Sequence, residues 1–376
     1  MKTVIQVFGS LDAGGAESRM MDVFRAIDRS KYQFLFVSLD TSEGQFYEEE
    51  IRSLGAEIIK IESPRRTGIW RHFRQLHELF LSLKAAGKAD CVHAHTSYHI
   101  GIVLLAARRA RIPVRISHAR TTSSLNRGGF ANKLMIAVGK RLIKSFATHR
   151  LALNKETALS LYGTDRGAQI IPNAIPLKLY SEALPADIYA DIPADATVIC
   201  HIGRFQPMKN HEFLLKLFAE YLKEHPRSWL ILVGDGPLRR STESLAEDLG
   251  IYDRVKFTGL RRDIPQILSR ASVFVFPSKY EGLPGVILEA QAAGIPSIMS
   301  DCLAHNVDMG LGLVDFVSLD ASVASWLSAI ERAVALPCIK SDTIYKAFDR
   351  RGFTLEHEIK LLTSIYENAD NNHHNL

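Results

Sequence analysis

The sequence predicts an α/β fold: two Rossmann-like, doubly wound domains facing each other across a cleft. Three observations carry that expectation. The chain has 376 residues, which is two domains at the usual ~100–200 residues each. Apolar, β-branched runs alternate with helical patterns, and the alternation breaks once, at a stretch rich in Pro, Ala and Asp, before it starts again. The charge divides near the same place: residues 1–180 carry 27 Lys and Arg against 15 Asp and Glu, whereas residues 181–376 carry 19 against 26. Ligands of such domains are expected at the carboxyl ends of the strands.

In the first half, Lys2–Gly9 predicts a strand and Glu17–Ile27 the helix after it. Phe34–Leu39, Glu57–Ile61, Cys91–Ala94, Val114–His118 and Arg150–Asn154 predict further strands, with helices expected at Phe46–Leu54, Trp70–Ala86, His99–Arg108 and Asn132–Phe146. Strands joined through single helices give right-handed crossovers and a parallel sheet. Asn173–Ala196 reads as a linker, and as a hinge between the domains. Beyond it, strands are expected at Val198–Gly203, Trp229–Gly234, Val255–Thr258, Val273–Pro277 and Ser297–Ser300. Helices are expected at His211–Glu224, Glu243–Leu249, Ile264–Ser269 and Pro284–Ala293, with a last amphipathic helix at Phe353–Asn368. The predicted domains are 1–180 and 181–352, followed by a C-terminal helix over 353–369.

Composition excludes several classes. With 47% hydrophobic and 23% charged residues the chain can bury a full core. The N-terminus MKTVIQVFG enters a strand-like run at once, unlike a secretory leader. No stretch approaches the ~18 uninterrupted apolar residues of a membrane-spanning helix. Cys91, Cys200, Cys302 and Cys338 are widely spaced without a C-x-x-C pair, which fits a reducing cytoplasm better than a disulfide scaffold. The basic first half points to an anionic partner. Nucleic acid is not expected, because no aromatic residues interleave the basic stretches.

Three loops carry candidate chemistry. Gly9-Ser-Leu-Asp-Ala-Gly14-Gly15-Ala-Glu17 joins the first strand to the first helix. Its glycines would let the backbone approach a ligand, with helix N–H groups offered to an anion, although a plain tight turn would look the same. It is neither a Walker loop nor G-x-G-x-x-G, which argues against a nicotinamide oxidoreductase. In Gly203-Arg-Phe-Gln-Pro-Met-Lys209-Asn-His, Arg204 and Lys209 stand five residues apart at a strand end. A guanidinium fork and an ammonium point charge can clamp a diphosphate there; the other reading is two solvated cations. Glu281-Gly-Leu-Pro-Gly-Val-Ile-Leu-Glu289 sets one carboxylate in a loop and another in the following helix, about 10 Å away at ~1.5 Å per residue. One could reach a sugar and the other a ribose, or both could be ordinary surface glutamates.

These loops are accompanied by Val233-Gly-Asp-Gly-Pro237, Phe257-Thr-Gly259 and Pro277-Ser-x-x-Glu281-Gly-Leu-Pro…Glu289-Ala-x-Ala-Ala-Gly294-x-Pro. In this order, over about residues 3 to 300, the chain resembles the group 1, or family 4, glycosyltransferases of GT-B fold. The resemblance implies retaining transfer of a hexosyl or N-acetylhexosaminyl unit from a nucleotide sugar, UDP-linked by the family's habit. Arg204 and Lys209 would hold the donor diphosphate and stabilise the departing nucleotide, Glu289 would bind the ribose, and Glu281 would contact the sugar near the reacting carbon. The backbone of Gly282, Leu283, Pro284 and Gly285 would contact sugar hydroxyls and phosphates, and Gly14 and Gly15 would press on the phosphates. The last helix would cross back onto the first domain. No cofactor or metal is implied, and the chain has no D-x-D motif, in keeping with leaving-group stabilisation by cations. The implied acceptor is a glycan on a lipid diphosphate, as in surface polysaccharide synthesis.

Arg115-Ile-Ser-His118-Ala-Arg120 resembles a first-domain segment of the family in which His-Ser-His is common; here Arg120 takes the second histidine's place. His118 is the candidate catalytic imidazole, the other reading being a strand-end histidine without a chemical part. His95 and Arg120 are candidate acceptor contacts. His93 and His95 share one strand face, but no third metal ligand lies at short spacing. Over 127–150, Lys133, Lys140, Arg141 and Lys144 fall on one helix side and Leu134, Met135, Val138, Leu142 and Phe146 on the other. Such a helix either packs its apolar side on its own domain or docks on anionic lipid, and Arg65, Arg66, Arg71 and Arg74 add a second basic cluster. The expected setting is cytoplasmic, peripheral at the inner face of the cell membrane. The alternative to an enzyme is a non-catalytic nucleotide-sugar-binding module of the same fold. Against it stands the joint presence of Arg204, Lys209, Glu281 and Glu289.

Overall fold

The computed structural model describes residues 1–121, 130–281 and 283–367. Its chain divides into two compact units, Met1–Ala174 with the segment from Leu355 onward, and Ile175–Thr354.

The first unit runs β1 (Lys2–Phe8), α1 (Gly15–Ala26), β2 (Tyr32–Ser38), α2 (Glu48–Ser53), β3 (Glu57–Lys60), α3 (Pro64–Thr67), α4 (Ile69–Ala85), β4 (Cys91–Ala94), α5 (Ile100–Arg109), β5 (Val114–Ala119), α6 (Phe130–Phe146), β6 (His149–Ala152), α7 (Lys155–Tyr162) and β7 (Gln169–Ile170). Its parallel sheet has the order β3-β2-β1-β4-β5-β6-β7. A strand covered on both faces is mostly apolar, and in β1 Val4 and Phe8 enter one core and Ile5 and Val7 the other, while Gln6 is a buried polar exception.

The second unit runs α8 (Leu177–Ser181), β8 (Val198–Ile202), α9 (His211–Glu224), β9 (Trp229–Val233), α10 (Arg239–Asp248), β10 (Val255–Gly259), α11 (Ile264–Leu268), β11 (Val273–Phe276), α12 (Gly285–Ala292), β12 (Ser297–Ser300), β13 (Val314–Val317), α13 (Val323–Val334) and α14 (Ser341–Arg350). Its strands are also parallel, in the order β10-β9-β8-β11-β12-β13. The chain then forms α15 (Leu355–Glu367), which belongs to the first unit and buries Leu362, Ile365 and Tyr366 in the core that holds Phe24 and Phe34. Asn368, at the end of the expected last helix, lies outside the described residues.

Three expectations need correction. The first unit ends at Ala174 rather than 180, because Ile171 and Ala174 pack in its core while Ile175 and Tyr180 pack in the second. The supposed linker is folded onto the second unit: Tyr180, Ala186, Tyr189 and Ile192 are core residues, and the Arg270 guanidinium donates to the carbonyls of Tyr189, Ile192 and Pro193. On α6 the buried residues are Ile136, Gly139 and Ile143, whereas Leu134, Met135 and Val138 are exposed. The cause is a close approach of α5 and α6 at Gly101 and Gly139. A Cβ on Gly139 would stand 2.4 Å from the Tyr98 carbonyl oxygen, and one on Gly101 would stand 2.5 Å from the Gly139 oxygen. Leu142 and Phe146 of the expected apolar side are half-buried, so the buried face is turned toward Gly139, and of the two readings it is own-domain packing that fails for Leu134, Met135 and Val138.

Candidate functional site

Sheet order reverses between β1 and β4, and again between β8 and β11, and ligands of doubly wound sheets bind beyond the strand ends at such points. The candidate residues stand at these ends.

In the first unit, β4 and β5 bring His93, His95 and His118 together, one nitrogen from each lying within 4.8 Å of the others. His118 is thus the third imidazole that short sequence spacing concealed. The hydrogen bonds have one consistent direction. Gln6 Nε2 donates to Tyr366 Oη (3.4 Å), and the Tyr366 hydroxyl hydrogen finds its acceptor in His93 Nδ1 (3.0 Å), the one acceptor it meets among the described residues. His93 then carries its hydrogen on Nε2 and donates to His118 Nδ1 at 3.0 Å. The His118 hydrogen is left on Nε2, buried and without a hydrogen-bond partner among the described residues. His95 donates through Nε2 to Gln6 Oε1 (3.0 Å) and accepts at Nδ1 from Arg120 Nε (3.4 Å). Burial, with the Arg120 charge adding to it, holds all three imidazoles well below the usual histidine range, and therefore neutral. Paired nitrogens and a neighbouring guanidinium make this a hydrogen-bond relay rather than a cation cage.

Arg120 donates through Nη1 to Asn173 Oδ1 at 2.7 Å, while its buried Nη2 has no partner among the described residues. His95 has both ring nitrogens engaged, so it braces Arg120 and offers no hydrogen bond of its own; the expectation of a direct acceptor contact is corrected to that extent. Glu358 on α15 is fully buried, which raises its carboxyl above the usual range, with the Arg120 charge acting against the rise. Tyr366, Gln6 and Glu358 were not anticipated, since residues 6 and 366 meet only through the return of α15. Gly14 caps α1 in extended backbone, and a Cβ on Gly15 would meet nothing within 4 Å, so Gly15 leaves open room at a helix N-terminus.

In the second unit, the loop after β8 lies between two others. Phe205 N donates to the Asp235 carbonyl (3.0 Å), Lys279 N to the Met208 carbonyl (2.8 Å), and Asn210 Nδ2 to the Pro277 carbonyl (3.2 Å). The glycines of Val233-Gly-Asp-Gly-Pro237 permit that contact: a Cβ on Gly234 would lie 2.2 Å from the Gly203 oxygen, and one on Gly236 would lie 2.6 Å from the Phe205 oxygen. The loop so held presents Arg204, exposed and without an ion-pair partner among the described residues. Lys209 Nζ lies over the Phe276 ring at 4.6 Å and 2.6 Å from Glu281 Oε1, an ion pair whose approach is off the hydrogen-bond direction. Leu283, Pro284 and Gly285 lead into α12, on which Glu289 is buried. Gly282 lies outside the described residues.

Comparison with known proteins places this geometry. The family described as Glycosyl transferases group 1 matches residues 190–309, and the Glycosyl transferase 4-like domain matches residues 14–173. EpsF of Bacillus subtilis (strain 168), which carries a glycosyltransferase name, is 34% identical over 385 residues, covering 100% of this chain and 98% of its own. The UDP-Gal:alpha-D-GlcNAc-diphosphoundecaprenol alpha-1,3-galactosyltransferase of Escherichia coli is 30% identical over 278 residues, 69% of this chain and 70% of that one. Among solved structures, Anabaena Alr3699/HepE in complex with UDP and glucose superposes with a TM-score of 0.73 at 18% identity, over 97% of this chain and 99% of that chain, which gives the fold. The two parallel-sheet units, the motif loops at their strand ends and a relative matched from end to end make this chain a member of the group 1, GT-B-fold glycosyltransferases.

Proposed function

We propose that the protein is a retaining glycosyltransferase that moves a hexosyl or N-acetylhexosaminyl unit from a UDP-sugar to a glycan on a lipid diphosphate, in surface polysaccharide synthesis. The observation that carries the reading is the second unit's loop cluster, in which Arg204 has no ion-pair partner among the described residues and Lys209 is poised on Glu281. On arrival of the donor, Lys209 turns from Glu281 to the diphosphate and joins Arg204 in taking up the charge of the departing UDP. Glu281, released, lies near the reacting carbon, where negative charge stabilises an oxocarbenium-like centre. Glu289 accepts the ribose hydroxyls. His118 donates a hydrogen bond from its Nε2–H to a substrate oxygen, and Arg120 offers its Nη2, which has no partner among the described residues, to the acceptor. Gly15 leaves room for a phosphate at the α1 N-terminus. The bond from the anomeric carbon to the diphosphate oxygen breaks, the new bond to the acceptor oxygen forms on the same face, and the acceptor hydroxyl passes its proton to the departing diphosphate oxygen.

UDP and the lipid-linked acceptor draw support from the relatives, one of which is named for UDP-Gal and a diphosphoundecaprenol substrate while another is solved with UDP. With cations on the leaving group the reaction needs no metal, so EDTA should leave turnover unchanged. The proposed setting is the cytoplasmic face of the membrane, held by the basic first unit; among the described residues no helix is long and apolar enough to cross it.

The test is a donor screen with UDP, GDP, UDP-glucose, UDP-galactose and the N-acetyl forms, read by thermal shift and slow hydrolysis. Stabilisation by the UDP series, lost in Arg204→Ala, with the released sugar first appearing in the donor's anomeric form, is the expected result. A flat response to every nucleotide contradicts the reading and favours a module that has lost its site.

A further inference from the structure

The first unit holds a cavity of about 350 Å3 beyond the carboxyl ends of its strands, separate from the histidine relay. Its walls include Thr41, Arg65, Arg66, Thr96 and His99. The site shows several marks of a built binding place. Thr96 Oγ1 is buried without a hydrogen-bond partner among the described residues, a state that an arriving ligand would relieve. The next residue, Ser97, adopts a left-handed φ of 56°, a strain that side chains other than glycine rarely carry. His99 is held down to about 4 by burial, then by His72 and Arg65, so it meets a ligand as a neutral donor. Asp40 also lines the cavity; the Ser42 amide and hydroxyl hold its ionised carboxylate at 2.9 and 2.7 Å, so the cavity sets two guanidinium charges against one fixed carboxylate.

Three and four residues after Arg66, at the start of α4, Ile69 and Trp70 are 38% and 83% exposed. Helices α4 and α6 both pack on α5, α6 meets Tyr98 through Gly139, and Leu134, Met135 and Val138 on α6 are exposed as well. Along the sequence, residues 91–155 carry twelve Lys and Arg and no Asp or Glu.

We infer that this cavity is the subsite for the diphosphate of the lipid-linked acceptor, with Arg65, Arg66, Thr96 and His99 binding the phosphates and Ile69 and Trp70 receiving the first isoprene units. Two arginines at one anion match a diphosphate, and an exposed tryptophan beside them matches a chain that leaves toward a bilayer. The inference rests on the acceptor class proposed above and adds the residues that would read it.

The probes are farnesyl diphosphate, farnesol and inorganic pyrophosphate, each titrated calorimetrically into the full chain, with UDP as the control. Farnesyl diphosphate should bind, the Arg65→Gln/Arg66→Gln chain should bind it about tenfold more weakly, and Trp70→Ala about threefold more weakly. UDP affinity should stay within about twofold in both variants. Farnesyl diphosphate binding that is absent, or unchanged in the double variant, overturns the subsite. Pyrophosphate binding as tightly as farnesyl diphosphate overturns the lipid assignment in favour of a free phosphate. A wild-type chain that binds farnesyl diphosphate but no UDP breaks the donor reading alone.

Discussion

The two units place their polar groups in opposite ways. In the second, Arg204, Lys209 and Glu281 sit on loops locked edge to edge by backbone contacts, and their charges are held in reserve by nothing stronger than one ion pair. In the first, His93, His95 and His118 are buried, neutral and fixed in tautomer by a chain of hydrogen bonds that begins on α15. The difference teaches a division of labour. In the proposed mechanism, the charges that would meet a diphosphate stand on loops partly open to water, whereas the hydrogen that would point at the substrate is set by a buried relay.

That comparison can be broken first in the second unit. Glu281→Gln, which keeps shape and removes charge, should lower kcat by about a hundred- to thousandfold with UDP binding largely kept; unchanged turnover would remove Glu281 from the reaction. His118→Ala comes next, at about ten- to a hundredfold in kcat, and a steady-state assay with equal loss in KM alone would make it a binding group instead.

Tyr366→Phe sharpens the contrast. It strips the relay of its first donor, and the stranded Gln6 and His93 atoms should cost about 1–3 kcal/mol in a denaturant melt. Nitrogen-15 NMR should show His118 as an Nε2–H tautomer in the wild type and a mixture in the variant; an unchanged spectrum would mean that the relay does not set it. The same spectra should show the three rings uncharged as pH falls past ~6.5. Because their folded pKa values lie below the unfolded value, the unfolded chain takes up protons first. Their contribution to stability is therefore complete above ~6.5 and is lost as pH drops toward the folded values. The smallest effects concern α6: Gly139→Ala should destabilise by about 1–3 kcal/mol through its clash with Tyr98, whereas exposed Leu134→Ala should change the melt by less than ~0.5 kcal/mol.

Much of the second unit could be read from the chain itself. Each of its loops is contiguous, so Gly203 to Lys209 and Glu281 to Glu289 state their residue types at fixed spacing. The first unit's relay could not be read that way. Gln6, His93, His118 and Tyr366 come from β1, β4, β5 and α15, and only sheet order and the returning helix make them neighbours. Periodicity also fell short on α6, where Gly139 makes the close approach to Tyr98, and between 301 and 352. There β13, α13 and α14 went unassigned, although Ser322 caps α13 with a hydrogen bond from Ser325 N that a Ser-initiated apolar pattern announces.

The most direct test of the account is a calorimetric titration of UDP into the wild type, Arg204→Ala and His118→Ala. The account predicts about tenfold or greater weakening in Arg204→Ala and a value within about twofold of wild type in His118→Ala, since only the second unit's cations meet the diphosphate. Equal affinity in Arg204→Ala, or a matching loss in His118→Ala, would contradict it.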